Sequence, residues 1–132
     1  MKPLVRVVIV SAFVFLANKT NALPPFPDYS PRIHLGQGQM AGEVTARSVI
    51  LQSRLTSADV LIADDLPGAR GTACFELSAD STFTDSWYTE WMDAVPVHDY
   101  IVKSVVCGLK PGTRYFYRVH FGSNRQQSLQ PQ

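Results

Sequence analysis

Clustered metal-binding residues and abundant cysteine are both missing from this chain of 132 residues. It contains two cysteines and three histidines, and the histidines stand singly at His34, His98 and His120. Metal centres in proteins draw on His, Cys and carboxylate ligands at short, recurring spacings. The sequence therefore predicts no metal site, and the histidines are interpreted as surface or strand-end residues. Two cysteines also exclude a small fold held together by several disulfides.

A basic stripe and a long apolar segment are missing as well. Twelve Lys and Arg residues balance eleven Asp and Glu residues without clustering, which argues against a nucleic-acid partner. The longest apolar run, Val7 to Ala17, is too short to cross a bilayer, which needs roughly 20 residues. Lys2 and Arg6 precede this run and Thr20-Asn21-Ala22 follows it, a pattern typical of a secretory signal peptide.

Export is the expectation that follows from this N-terminus. We expect residues 1–22 to be removed, which would leave a periplasmic or secreted protein without a stable membrane anchor. Three cations leave with the signal, so that nine remain against eleven acidic residues and the net charge becomes −2. Residues 23–31, LPPFPDYSP, contain four prolines and predict an extended leader rather than a helix. Residues 32–132 are enough for one domain.

Short segments that alternate with period two fill that domain. Each is rich in β-branched or aromatic residues and is bounded by turn residues. The predicted strands are Val49 to Leu55, Thr72 to Leu77, Trp87 to Met92, Tyr100 to Val106 and Tyr115 to Phe121. The glycine-containing segment 36–42 lacks the Lys-Ser/Thr ending of a phosphate loop and is interpreted as a flexible first strand. This spacing favours an all-β, antiparallel β-sandwich.

Alternation also assigns a face to each side chain. The residues expected to point into the core are Phe75, Leu77, Val102, Val106, Tyr115, Tyr117, Val119 and Phe121. Cys74 and Cys107 fall on outward faces of strands that we place in opposite sheets, roughly 10 Å apart. A disulfide needs its two Cα atoms within about 7 Å and its Cβ atoms turned towards each other, so both cysteines are expected to be free.

The turn before the last predicted strand has the pattern of a tyrosine corner. Leu109 and Tyr115 lie six residues apart across Pro111-Gly112, and in such corners the Tyr hydroxyl returns to the upstream backbone while its ring covers the core. Leu109, Pro111, Gly112 and Tyr115 are therefore interpreted as structural residues that do no chemistry.

Catalytic and cofactor-binding motifs are not found elsewhere. Asp64-Asp65 precedes a Leu-Pro-Gly turn and indicates solvated turn residues rather than a cation site. Ser48, Ser53 and Ser57 lack the glycine elbow of a nucleophilic serine. We expect no catalytic residue, no bound metal and no cofactor in this chain.

Two tryptophans leave a choice open. Alternation places Trp87 and Trp91 on one face, two residues either side of Thr89. Paired rings of this kind either fill the core of the sandwich or form a surface that stacks on a sugar or packs against a partner. Core packing is the favoured interpretation, and a binding face is the alternative.

Four stretches in order resemble one family. GLKPGTRYFYRV with Lys103 upstream, Gly42 to Leu51, Cys74 to Phe83, and His98-Asp99-Tyr100 resemble the N-terminal fibronectin type III-like domain of the alkaline phosphatase D (PhoD-like) phosphodiesterase family. The resemblance covers residues 35 to 122. It implies that phosphate-ester cleavage belongs to a downstream metallophosphoesterase domain, whose Asp, Asn, His and Cys side chains hold metal ions.

The sequence departs from that family at two places. Gln52 stands where the family has Trp on its first clear strand, so this position is expected either to face solvent or to be compensated by Trp87 and Trp91. The chain also stops at Gln132, before the family's final strand and catalytic domain. We therefore expect a sandwich that lacks its last strand, truncated before the catalytic domain, with an exposed edge open to self-association.

The function expected from this resemblance is that of a non-catalytic accessory domain. Its partner would be a metallophosphoesterase domain, in cis or as a separate chain. The alternative is a complete, exported adhesion module that binds a glycan or a protein. A weaker third interpretation is the N-terminal domain of a purple acid phosphatase-like enzyme, which has a similar corner.

Overall fold

A computed structural model describes residues 32–125, and both the predicted signal peptide (1–22) and the predicted leader (23–31) lie outside this range. The described part contains seven strands and one 3-10 helix, Pro96–His98. The strands are β1 (Gln39–Gly42), β2 (Ser48–Arg54), β3 (Gly71–Ser78), β4 (Ser86–Tyr88), β5 (Met92–Ala94), β6 (Ile101–Cys107) and β7 (Phe116–Gly122). No helix among these residues has the length and hydropathy to cross a membrane.

The strands form two antiparallel sheets, which confirms the predicted all-β class. One sheet has three strands in the order β1-β2-β6. In the other, β3 is central, β4 and β5 pair with opposite ends of one of its sides, and β7 pairs with its other side. In the part of the chain that the structure describes, β7 thus lies at a sheet edge. The fibronectin type III identity and the expected self-association of this edge stay predictions.

The core lies between the two sheets. Leu51, Phe75, Leu77 and Val102 are almost completely buried, and each such side chain stabilises the fold by about 1.5–3 kcal/mol relative to its exposed form. Of the residues expected to point inward, those that belong to the core or pack against it are Phe75, Leu77, Val102, Val106, Tyr117, Val119 and Phe121. Gln52 lies between the buried Leu51 and Ser53 and is only half-buried, as expected for a position on the solvent side of β2.

The predicted strand Trp87 to Met92 is interrupted, which sequence alternation did not reveal. Tyr88 pairs with Glu76 in β3, and Met92 pairs with Ala73. Between these two pairs, the edge segment contains three residues (89–91), whereas β3 contains two (74 and 75). This extra residue is a β-bulge, and it shifts every later side chain to the opposite face.

The bulge separates the two tryptophans. Thr89 binds the bulge to β3, because its backbone N–H donates to the Phe75 carbonyl (2.8 Å) and its hydroxyl accepts from the Phe75 N–H (3.0 Å). Trp87 lies before the bulge and faces the core side. Trp91 precedes Met92, which packs against the core, so alternation places Trp91 on the outer side. The prediction that the two rings share a face is wrong.

Candidate functional site

The tyrosine corner joins the two sheets at one end of the sandwich. The Tyr115 hydroxyl accepts a hydrogen bond from the Lys110 backbone N–H at 3.0 Å. Leu109 packs against the core, and its N–H donates to a carbonyl in the β1–β2 connection at 3.0 Å. Gly112 has a φ of 67°, which favours glycine because a Cβ is disfavoured in the left-handed region. Pro111 precedes it, so the chain turns tightly before β7.

Trp87 stands beside this corner. Its ring meets the Tyr115 ring edge-to-face, with centroids 5.8 Å apart and an interplanar angle of 88°. The residue is 42% exposed, so the favoured interpretation of Trp87 as a core residue is wrong. It lines an open groove of about 590 Å³ together with Asp80, Asp85, Lys110 and Tyr115. Aromatic and charged groups therefore meet in the same groove.

Asp80 is the most strongly held charge in this groove. Its carboxylate accepts hydrogen bonds from the Thr82 backbone N–H and from the Thr82 hydroxyl. These bonds, with weaker ones from Thr84, lower the pKa of Asp80 below its usual value. A carboxylate fixed in this way is a pre-oriented acceptor with little freedom to take up a proton.

A second group of polar side chains lies on the outer face of the four-stranded sheet. We call Glu76, Ser86, Arg118 and His120 the outer-face cluster. Ser86 Oγ donates to Glu76 Oε1 at 2.6 Å, and both Arg118 Nε and His120 Nε2 approach Glu76 Oε2, at 2.5 and 2.6 Å. Because an ionised carboxylate only accepts hydrogen bonds, His120 Nε2 carries the hydrogen.

Glu76 is charged although its side chain is only 2% exposed. Burial raises the pKa of Glu76, but the hydrogen bonds from Arg118, Ser86 and His120 together outweigh burial and lower the pKa from 4.5 to about 2. A buried carboxylate is tolerated only when paired and hydrogen-bonded in this manner. The cluster therefore holds a buried carboxylate that is ionised at neutral pH and is balanced by the Arg118 cation beside it.

Aromatic rings cover the cluster from the outside. The Arg118 guanidinium carbon lies 4.3 Å from the centre of the Phe83 ring, and the Tyr88 and His120 ring centroids are 5.4 Å apart. Burial, and next the charge of Glu76, raise the pKa of the Tyr88 hydroxyl. These rings contact two of the partners of a carboxylate that is only 2% exposed, and the low access of water strengthens its ion pair with Arg118.

Both cysteines are free, as the sequence predicted. Cys74 lies on β3 and Cys107 on β6, strands of different sheets. Cys107 is exposed, whereas Cys74 is buried. Burial, and then the charge of Glu76, raise the pKa of the Cys74 thiol to about 11, so this thiol is not a nucleophile at neutral pH.

The outer-face cluster is arranged for stability rather than catalysis. Three donors occupy the two Glu76 oxygens, so this carboxylate is not placed to act as a general base. The prediction that Cys74 points away from the core side of β3 is correct, but Cys74 and its outward-facing neighbour Glu76 are both buried. His120, interpreted from the sequence as a surface or strand-end residue, lies near the end of β7, is 21% exposed and is bound to Glu76.

The sequence contained a signal for this cluster that alternation alone did not resolve. Glu76 pairs with Arg118 across the β3–β7 ladder, and Cys74 pairs with His120. Opposite charges at directly paired positions stabilise a sheet. Pairing the two predicted strands in register would have brought the acid and the cations together.

Asp64 and Asp65 form a turn, as predicted. Ala63 and Asp64 both have positive φ, 50° and 64°, and the Asp65 carboxylate accepts the Leu66 backbone N–H at 2.7 Å. Across residues 32–125, no group of three or more His, Cys, Asp or Glu side chains is placed to hold a metal ion.

These features define an antiparallel two-sheet domain closed by a tyrosine corner, in which every buried polar side-chain atom of the described residues is hydrogen-bonded. The sequence matches the model of the PhoD-like phosphatase, N-terminal domain over residues 20–130, and the chain belongs to this family. A solved structure of PhoD is similar at 25% sequence identity, with a TM-score of 0.56. The similarity covers 77% of this chain and 19% of that PhoD chain. No curated protein matches the sequence.

Proposed function

We propose that this chain is a non-catalytic accessory domain of an exported PhoD-like phosphatase. It packs beside a metallophosphoesterase domain, which lies in cis or on a separate chain and holds the metal ions and the catalytic groups. The observation that carries the proposal is the family match over residues 20–130. The chain spans about a fifth of the similar PhoD, which leaves room for a catalytic domain in that protein.

The side-chain chemistry supports a structural rather than a catalytic role. Hydrolysis of a phosphate ester needs an activated nucleophile and positive charge at the phosphoryl oxygens. The buried acid Glu76 and the cation Arg118 neutralise each other, and the buried thiol of Cys74 is held protonated by its raised pKa. The groups that reach solvent at the tyrosine corner carry no metal-ligand pattern.

Hydrolysis of an aryl phosphate monoester and an aryl phosphodiester by the purified chain tests this proposal. Both are measured with calcium, iron, zinc and manganese added in turn. We expect turnover no faster than that of the buffer with the same metal. Metal-dependent turnover that co-purifies with the folded chain and is lost on its unfolding would overturn the proposal.

The groove at the tyrosine corner favours a second candidate, a glycan-binding module. The exposed Trp87 ring lies near the Asp80 and Asp85 carboxylates and the Lys110 ammonium, and sugars are bound by stacking on a ring while their hydroxyls meet such groups. If this is the function, Trp87→Ala abolishes binding on a glycan array while Trp91→Ala, on the other face, retains it. If the unsubstituted chain binds no glycan on the array, this candidate is eliminated.

A further inference from the structure

The connection between β2 and β3 exposes three large aliphatic side chains in a row. Val60, Leu61 and Ile62 are 66%, 67% and 54% exposed. Single exposed aliphatic residues are ordinary on protein surfaces. Three consecutive ones at the end of a projecting loop form a contiguous apolar patch, and such patches mark surfaces that are covered by a partner. We call residues 60–62 the apolar tip.

The loop that carries the apolar tip is held in a fixed shape. At its base, the Ser57 backbone N–H donates to the Pro67 carbonyl at 2.9 Å. Near its end, Ile62 and Asp65 exchange two backbone hydrogen bonds of 2.7 and 3.0 Å. Ala63, between them, adopts a left-handed φ of 50°, which a non-glycine residue takes up only when its surroundings enforce it. A loop ordered before binding loses little entropy when it binds.

The base of the loop is attached to the core. The Arg54 guanidinium donates to the Leu66 carbonyl at 2.6 Å, and Leu66 itself is buried. Gly68 lies directly against the Tyr100 ring, where an added Cβ would stand 1.9 Å from a ring carbon. The apolar tip is therefore a rigid projection of the sandwich.

The charges around the apolar tip restrict what covers it. Asp59, Asp64 and Asp65 flank it, and no Lys or Arg occurs between Leu55 and Ala69. An anionic lipid surface repels such a segment. A second copy of the same loop would bring six carboxylates together, which is also unfavourable. A protein cleft with an apolar floor and a rim of Lys or Arg is complementary in both respects.

We propose that the apolar tip docks this domain onto the metallophosphoesterase domain, in an apolar cleft of that domain bordered by basic residues. This inference rests on the proposed function, since it names the surface through which the accessory domain and its catalytic partner meet. Leu61 is the central and most exposed of the three side chains and acts as the anchor. A few residues near the centre of an interface carry most of its binding energy, and Leu61 has that central position in the apolar tip.

Site-specific photo-crosslinking in the source cells tests the docking surface. A benzoylphenylalanine replaces Leu61 in the full chain, and in a matched control it replaces Val97, which is 80% exposed on the 3-10 helix. Crosslinked peptides are identified by mass spectrometry. We expect crosslinks to a metallophosphoesterase domain from position 61 in at least tenfold excess over position 97.

The outcomes separate the two proposals. Crosslinks to the metallophosphoesterase domain from position 97 but not from position 61 would overturn the docking surface and leave the proposed function intact. Crosslinks from position 61 to lipid or to a second copy would also overturn it. The lack of any metallophosphoesterase crosslink at both positions would overturn the docking surface, whereas the proposed function is tested separately by the hydrolysis assay.

A pair of substitutions checks the energetic role of the anchor. Leu61→Asp and Val97→Asp each place a carboxylate on an exposed aliphatic position, so neither is expected to affect folding. Affinity for the crosslinked metallophosphoesterase partner is expected to fall by about tenfold or more for Leu61→Asp and to change less than twofold for Val97→Asp. Equal affinities of the two variants would refute the assignment of Leu61.

Discussion

Replacing Glu76 by Gln is expected to lower the free energy of unfolding and to remove much of its dependence on acid pH. The substitution keeps the size and shape of the side chain but removes the charge that Arg118 and His120 approach. Because the pKa of Glu76 is lower in the folded chain, the folded state binds fewer protons in acid than the unfolded state does. The stability that this carboxylate contributes is fully present above about pH 4.5 and is lost as the pH falls through about 2.

The magnitude follows from the same pKa values. A change from 4.5 to about 2 corresponds to roughly 3 kcal/mol of unfolding free energy. Arg118 is half-exposed, so solvent screens part of this interaction and about 2 kcal/mol is the expected loss at pH 7. For a domain of this size, that lowers the melting temperature by about 8–16 °C.

Urea unfolding at several pH values between 7 and 2 is the appropriate assay. The difference between the unsubstituted chain and Glu76→Gln is expected to be largest at pH 7 and to close as the pH approaches 2. Glu90→Gln is the control, because Glu90 is exposed and its substitution is expected to change stability by less than about 0.5 kcal/mol. A Glu76→Gln variant as stable as the control at pH 7, or a difference that stays constant down to pH 2, would refute this reasoning.

Two further predictions concern the two cysteines and Gly68 in the loop before β3. In the native chain, Cys107 is expected to react with a thiol reagent such as 5,5′-dithiobis(2-nitrobenzoate) within minutes, whereas Cys74 reacts only after unfolding. Two fast-reacting thiols in the native chain would contradict this, and so would the lack of any free thiol in unreduced, denatured protein. Gly68→Ala is expected to destabilise the chain by about 1–3 kcal/mol, since the new Cβ overlaps the Tyr100 ring. Gly42→Ala is its control, because its Cβ would enter open space, and calorimetric melting temperatures that fall equally for both variants would show that steric overlap is not the cause.

Much of the architecture was predictable because one face of each sheet is buried. In such sheets the apolar residues recur at every second position, and this periodicity locates both the strands and their inward side chains. β2, β3, β6 and β7 begin within one residue of their predicted starts. The pairing of Leu109 with Tyr115 across a Pro-Gly turn likewise carries its own local signal.

The bulge after β4 could not be predicted from the same periodicity. The segment around Thr89 reads as one continuous strand, and the extra residue becomes visible only when it is aligned with β3. This single residue changed the predicted position of Trp91 relative to Trp87. A register depends on the partner strand, and the sequence of one strand does not contain it.

The outer-face cluster was missed for a related reason. Alternation assigns Glu76 and His120 to the side of the sheet away from the core, but it does not reveal what covers that side. Here Phe83, in the loop before β4, contacts Arg118, and Tyr88, in the edge strand β4, contacts His120. Outward-facing and exposed are different properties, and only tertiary structure separates them.

The burial of β3 has a consequence for how this domain tolerates sequence change. Seven of its eight residues are buried, so that the strand has no side on which substitutions are free. An apolar replacement at Glu76 would remove the acceptor of the hydrogen bonds from Ser86, Arg118 and His120, and a polar replacement at Phe75 would disrupt the core. We therefore expect a saturation mutagenesis library selected for folded protein to be depleted at even and odd positions of this strand alike, whereas β6, with its exposed outer residues, retains substitutions at every second position.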